Sequence, residues 1–289
     1  MRVSRQKHRF LCIGIFMALL LAAIPGYNAY GYSVLAIGDS ITVGDGSTAG
    51  SGYIGYLDRL GSYDFLGTQG TDPYFNEGYG GAYTRHFLDG TVSGSYREDN
   101  NLAEVPTISS LLGTGGYVPD IMLIHLGTND INSLVRGNFE NYFMGYDDPV
   151  GFVRDNIINI LGEIYRWNRN VDVYLAQIIP FNYGDNLSVS AFNYALEVGL
   201  DTFLDSHNNF NVHLVNMYNA FINTEGPITS YYSDRLHPSD SGYEKMADVW
   251  HAAISEHSTP VPLPAGVWLL GTGLLGLVAL RRRRSDSQR

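Results

Sequence analysis

Short apolar runs alternate with longer amphipathic stretches through the middle of the chain. The runs fall at 33–37, 63–66, 121–126, 171–178 and 212–215. Each has the length and the β-branched or aromatic content of a strand buried on both faces. Segments near 51–60, 102–112, 152–167, 189–206 and 239–256 carry apolar residues at helical spacing. Strand–helix alternation of this kind predicts an α/β domain, with a parallel sheet and helices on both of its faces. The Gly- and Tyr-rich stretches at 44–56 and 67–96 read as long loops over that scaffold.

The two ends break the pattern. Arg2, Arg5, Lys7 and Arg9 precede an apolar run from Phe10 to Ile24, and small residues follow, the layout of a secretory signal peptide over 1–31. A retained N-terminal anchor is the alternative. At the other end, three prolines (Pro260, Pro262, Pro264) are followed by an uncharged stretch to Leu280 and then by Arg281–Arg284. The expectation is a Pro-rich linker at 258–264, a membrane-spanning segment at 265–280 and a basic cytoplasmic tail at 281–289. The domain itself is then 32–257, enough chain for one core.

Charge changes once these ends are set apart. They hold nine of the 18 basic residues and one of the 29 acidic ones, so 32–280 carries a net charge of −19. Such a surface repels phosphate backbones, which argues against nucleic acid and favours neutral substrates such as glycans or small esters. Cys12, the only cysteine, lies in the leader, so the exported domain has no thiol for a disulfide, a nucleophile or a metal. The scattered histidines show no metal-ligand spacing, and no cofactor is expected. Gly271-Thr272-Gly273-Leu274-Leu275-Gly276 matches a dinucleotide fingerprint only in its letters, because it sits inside the membrane-length run.

Parallel sheets of this class bind ligands at the carboxyl ends of their strands, where the strand order reverses. In a 2-1-3-4-5 order the first and third strands are neighbours at that point. The first ends in Gly38-Asp39-Ser40 and the third in Gly127-Thr128-Asn129-Asp130. A serine at a strand tip is exposed yet fixed, although alone it reads equally as a helix cap. Far downstream, Asp234-Arg235-Leu236-His237-Pro238 places a histidine where the following proline disfavours helix. Ser241 and Glu244 then have capping-box spacing for the last helix. Asp234 can hold one ring nitrogen of His237 and leave the other for Ser40, which is what a serine nucleophile requires. The Asn129 amide is a donor of the type an oxyanion needs.

These three blocks together resemble the first, third and fifth blocks of the SGNH (GDSL-like) hydrolase superfamily. The resemblance covers roughly 33–256. It implies a three-layer α/β/α sandwich with a five-stranded flavodoxin-like parallel sheet, and a triad of Ser40, His237 and Asp234. It also implies an oxyanion hole made by the Ser40 amide, a glycine amide of the second block and the Asn129 side chain. Asn76-Glu77-Gly78-Tyr79-Gly80-Gly81-Ala82 resembles the His-Glu-Gly-x-x-Gly-Trp stretch of acetylxylan-esterase-like members, the third carbohydrate-esterase family. That alignment makes Gly81 the oxyanion glycine, with Gly78 and Gly80 as alternatives. Asn76 and Ala82 depart from the family's histidine and tryptophan, which leaves the substrate class open.

The expectation is therefore an exported serine esterase acting on acyl esters, chiefly acetyl groups on a glycan. The alternatives are a lysophospholipase- or thioesterase-type lipid hydrolase, and a non-catalytic surface or matrix protein. Phe139, Tyr142, Phe143 and Tyr146 cluster after the third block. They either pack that loop onto the body or, through Tyr142 and Tyr146, stack on sugar rings. His125 reads as a packed strand residue. Val261-Pro262-Leu263-Pro264-Ala265 with the span and arginines that follow resembles the VPLPA form of the PEP-CTERM sorting signal of Gram-negative bacteria. That likeness implies an exosortase as partner and residence at the envelope, at least transiently membrane-anchored.

Overall fold

The computed structural model describes residues 31–90, 105–114, 116–137, 146–184 and 186–257. The chain divides into two units, Met1–Glu256 and His257–Arg289, and the sheet and the site lie in the first. The expected leader up to residue 30, the linker, the span and the tail fall outside the described residues, as does Tyr142. Among the described residues no helix is long and apolar enough to cross a membrane.

The strands are β1 (Tyr32–Gly38), β2 (Tyr63–Leu66), β3 (Gln69–Thr71), β4 (Tyr74–Gly78), β5 (Ile121–His125), β6 (Asp172–Ala176) and β7 (Val212–Val215). The helices are α1 (Ser40–Val43), α2 (Gly52–Leu57), α3 (His86–Asp89), α4 (Ile108–Thr114), α5 (Thr128–Val135), α6 (Pro149–Trp167), α7 (Leu187–Ser206), α8 (Met217–Ile222) and α9 (Asp240–His257). A 3₁₀ turn spans Ile228–Tyr231.

The strand count differs from the expected five: the sheet has seven strands, and β3 pairs antiparallel with β4. The parallel order is nevertheless the expected one. On one side of β1, Tyr32–Leu35 lie beside β2, while Ile37 and Gly38 lie beside Glu77 and Gly78 of β4. The other side of β1 pairs with β5, then β6, then β7. The second strand position is thus filled by two short strands, β2 and β4, and β3 lies between them in sequence and forms a hairpin with β4. Sequence periodicity missed β4 because its inward positions are polar. Glu77 is fully buried, with its carboxylate accepting from the Thr68 amide at 2.8 Å, the Thr68 hydroxyl at 3.1 Å and the Tyr79 hydroxyl at 2.5 Å. A buried carboxylate is tolerated only with such partners.

Alternation along the strands feeds two cores. Leu35, Ile37, Met122, Ile124, Val173 and Leu175 face one way, toward Ile157, Ile160 and Ile164 of α6 and Leu196 and Leu200 of α7. Val34, Ala36, Ile121, Leu123 and Tyr174 face the other, toward Tyr53 and Leu57 of α2 and Tyr243, Met246 and Trp250 of α9. Each such aliphatic side chain contributes about 1.5–3 kcal/mol by leaving water. The result is the expected three-layer α/β/α arrangement. Helix α6 starts before its apolar stripe because Asp148 caps it, accepting from the Gly151 amide at 2.9 Å, and Pro149 occupies the first turn. Helix α9 begins at Asp240, so Ser241 lies inside the first turn and is not its cap.

Candidate active site

Ser40 is the first residue of α1, directly after β1. Asp39 caps this turn, its Oδ1 accepting from the Ile41 amide at 3.0 Å. Gly38 must be glycine for lack of room: a Cβ there would lie 2.0 Å from Thr42 Oγ1 and 2.8 Å from the His125 carbonyl. The strand tip and the returning helix are therefore pressed together, and Ser40 is left only 5% exposed.

The histidine arrives from the other end of the domain. Its Nε2 lies 3.0 Å from Ser40 Oγ, and its Nδ1 lies 2.8 Å from Asp234 Oδ2. Asp234 Oδ1 accepts from the Leu236 and His237 amides, each at 2.7 Å. Desolvation opposes the charge on Asp234, but the bonds from the imidazole and the two amides outweigh it and hold its pKa below the usual value. Nδ1–H bound to a carboxylate leaves Nε2 as an acceptor facing the serine hydroxyl.

The second block forms a turn after β4. Tyr79 donates its amide to the Gly38 carbonyl at 3.0 Å, and the Ala82 amide closes back on the Tyr79 carbonyl at 2.9 Å. Asn129 reaches this turn, donating one amide hydrogen to the Ala82 carbonyl at 3.0 Å. Asp130 braces the next residues by accepting from the Thr84 amide at 3.1 Å and the Thr84 hydroxyl at 2.8 Å. Of the three candidate glycines, Gly78 has its amide engaged by Asn76 Oδ1 at 2.9 Å, so it has no donor to offer. Gly81 sits at the crest of the turn with φ of +78°. The tips of β1, β4 and β5 are thus tied to one another, and they carry Ser40, Gly81 and Asn129.

Two expectations fall elsewhere. Tyr146 sets its ring against Phe152 of α6, with centroids 4.0 Å apart, and remains 46% exposed. His125 is fully buried on β5, where burial lowers its pKa to about 4, so it stays neutral in the core. Among the described residues no group of three or more His, Cys, Asp or Glu side chains could hold a metal ion.

Three supports went unread in the sequence. Asn182 follows β6, donating its amide to the Arg235 carbonyl and its side chain to the Asp234 carbonyl, both at 3.0 Å. The Tyr232 hydroxyl donates to the Pro180 carbonyl. Asp39 is fully buried, and burial pushes its carboxyl up to about 7, against the pull of the Ile41 amide, Thr128 and His237. Ser40 and Asn129 stand close behind their strands, whereas Asn182 lies six residues beyond β6 and carries no such signal.

Comparison with known proteins agrees with this fold. The family model for GDSL-like Lipase/Acylhydrolase matches residues 34–250. No curated protein matches the chain in sequence. Among solved structures, a family 3 carbohydrate esterase of Clostridium thermocellum is similar at 20% identity and a TM-score of 0.54, over 78% of this chain and 96% of that one. A family 3 carbohydrate esterase from Talaromyces cellulolyticus is similar at 20% identity and a TM-score of 0.50, over 78% and 97%. A member of the lipolytic G-D-S-L family from Veillonella parvula is similar at 16% identity and a TM-score of 0.50, over 79% and 99%. At these identities the structural likeness speaks for the fold. The family match spans most of the chain, and the chain belongs to the GDSL-like lipase/acylhydrolase family as a carboxylic ester hydrolase.

Proposed function

We propose that this chain is an exported serine esterase that removes acyl groups, chiefly acetyl, from a carbohydrate. The observation that carries the mechanism is the unbroken relay from Ser40 Oγ through His237 to Asp234, with spacings of 3.0 and 2.8 Å. Ser40 Oγ attacks the ester carbonyl carbon while its proton passes to His237 Nε2. The Ser40 amide, the Gly81 amide and the uncommitted hydrogen of the Asn129 amide stabilise the oxyanion. Collapse expels the alcohol, which takes the proton from Nε2. Water then attacks the acyl-enzyme, giving its proton to the same nitrogen, and the acid leaves as Ser40 recovers its own.

The carbohydrate assignment draws on the second-block sequence and on fold neighbours described as family 3 carbohydrate esterases. Export draws on the N-terminal leader, and residence at the envelope on the C-terminal run with its arginine block, handled by an exosortase-type enzyme. The deciding experiment compares short- and long-chain aryl esters with acetylated xylan, using the purified chain and its Ser40→Ala variant. Preference for acetyl esters and release of acetate from xylan are expected. Preference for long acyl chains would redirect the assignment to lipid esters. Equal rates for wild type and Ser40→Ala would end the mechanism.

A further inference from the structure

Asp39 presents a problem that the relay leaves unsolved. Its carboxyl is completely buried, and only one oxygen is satisfied, by the Ile41 amide. The other oxygen, Oδ2, has no hydrogen-bond partner. Thr128, at the tip of β5, is also completely buried, and its hydroxyl likewise has none. Gly38 of β1 pairs with His125 of β5, so the two orphan groups stand at adjacent strand tips. An unpartnered carboxylate oxygen in such a place is costly, and a proton on it converts the orphan acceptor into a donor.

We propose that Asp39 is a positioning residue that works as a neutral acid, with Oδ1 capping the Ser40 turn and the Oδ2 proton shared with the Thr128 hydroxyl. The bridge ties the strand tip that bears the nucleophile to the one that bears Asn129. Asp39 touches no reacting atom; it fixes the distance between the group that attacks and a group that receives the developing charge. This inference rests on the esterase mechanism above. The groups that face Asp39 are His237 from the acid–base loop, Asp130 from α5, Tyr53 from α2 and Tyr243 from α9. Asp130 repels a second negative charge and His237 attracts one, and burial is the largest influence, toward the neutral form.

The sign of the linkage follows. The Asp39 pKa rises from 3.8 to about 7 on folding, so the folded state binds its proton more tightly. The associated stability is fully present below pH 3.8 and is lost as pH rises through about 7. Asparagine mimics the neutral acid in shape, with an oxygen for the Ile41 amide and a donor for Thr128, but it cannot ionise.

The test uses the full chain as wild type, Asp39→Asn, Asp39→Ala and Thr128→Val, with Ser40→Ala as the blank. Asp39→Ala is expected to lose about tenfold in kcat at nearly constant KM, because small misplacements of reacting groups are expensive. Asp39→Asn should recover most of that loss, and Thr128→Val should lose kcat without loss of KM. Between pH 4 and 8, the Tm of Asp39→Asn should gain on wild type by at least about 3 °C. Asp39→Asn as impaired as Asp39→Ala would show that the charge matters and would overturn the proposal. Parallel Tm profiles for Asp39→Asn and wild type would overturn it as well. If Asp39→Ala fails to fold, the isosteric Asn and the Thr128 variant still decide. Should wild type hydrolyse no ester at all, the esterase mechanism fails, while the Tm profiles still report whether Asp39 is neutral.

Discussion

Ser40 and His237 lie 3.0 Å apart, yet they are held in opposite ways. Ser40 rides on a strand tip whose neighbours Ala36, Ile37, Ile41 and Thr42 are all fully buried. His237 sits on a loop, with its own side chain 22% exposed and that of Asp234 55% exposed. Ser40 is placed by the sheet and by packing. The His237–Asp234 pair is placed by hydrogen bonds: two amides onto Asp234 Oδ1, and a clamp from Asn182 onto the carbonyls of Asp234 and Arg235. A packed site tolerates little change of volume, whereas a hydrogen-bonded loop can lose one bond and keep its shape. The two halves should therefore fail differently.

The largest effect should come from removing either reacting group. Ser40→Ala and His237→Ala are each expected to lower kcat by about 10³-fold or more while the fold persists. Esterase assays with a thermal melt check this, and substantial activity in either variant would contradict the relay. Asp234→Asn comes next, at about 10²-fold or more, because an amide can present a donor where Nδ1–H needs an acceptor and can favour the wrong tautomer. The depressed pKa of Asp234 adds a pH signature. Its stabilising interactions are present above pH 3.8 and are lost only as pH falls through its lower folded value. Acid inactivation at mildly acidic pH should therefore reflect protonation elsewhere, and Asp234→Asn should flatten only the most acidic part of the stability profile.

A third prediction acts where the two halves meet. Gly46, on the loop after α1, has φ of +91°, and a Cβ there would lie 2.2 Å from Ser233 Oγ, 2.7 Å from the Pro238 carbonyl and 3.1 Å from His237 Cβ. Gly46→Ala should cost about 1–3 kcal/mol in strain. It should also lower kcat about tenfold by pushing the histidine loop off the serine. A loss of stability with kcat unchanged would show that the loop moves independently of the nucleophile.

The comparison also explains what the sequence could disclose. Strands β1, β5 and β6 coincide with apolar runs because burial on both faces leaves a local signature. The candidate site blocks were legible because Ser40 and Asn129 stand in glycine-led motifs at strand tips and His237 in a proline-terminated loop motif. The β3–β4 insertion was not, because Asn76 and Glu77 occupy buried strand positions and their compensation comes from Thr68 and Tyr79. Nor could spacing exclude Gly78 from the oxyanion hole. That depends on its amide being engaged by a side chain two residues back. Gly46 and Asn182 are invisible for a similar reason: each matters only through contact with a loop more than 50 residues away.

Asn182 gives the finest probe of how the acid–base loop is held. Truncation to alanine removes the side-chain bond to the Asp234 carbonyl but keeps the amide bond to Arg235, so half of the clamp survives. One hydrogen bond contributes about 1 kcal/mol net, which at this chain length corresponds to about 2–4 °C in Tm. The remaining support should limit the catalytic cost to about threefold in kcat, at unchanged KM, since the substrate's binding groups are untouched. A KM–kcat split of that kind distinguishes a loosened histidine from a generally softened protein. If Asn182→Ala melts earlier but turns over at the wild-type rate, the two amides on Asp234 suffice, and the loop is held from within rather than from the loop after β6.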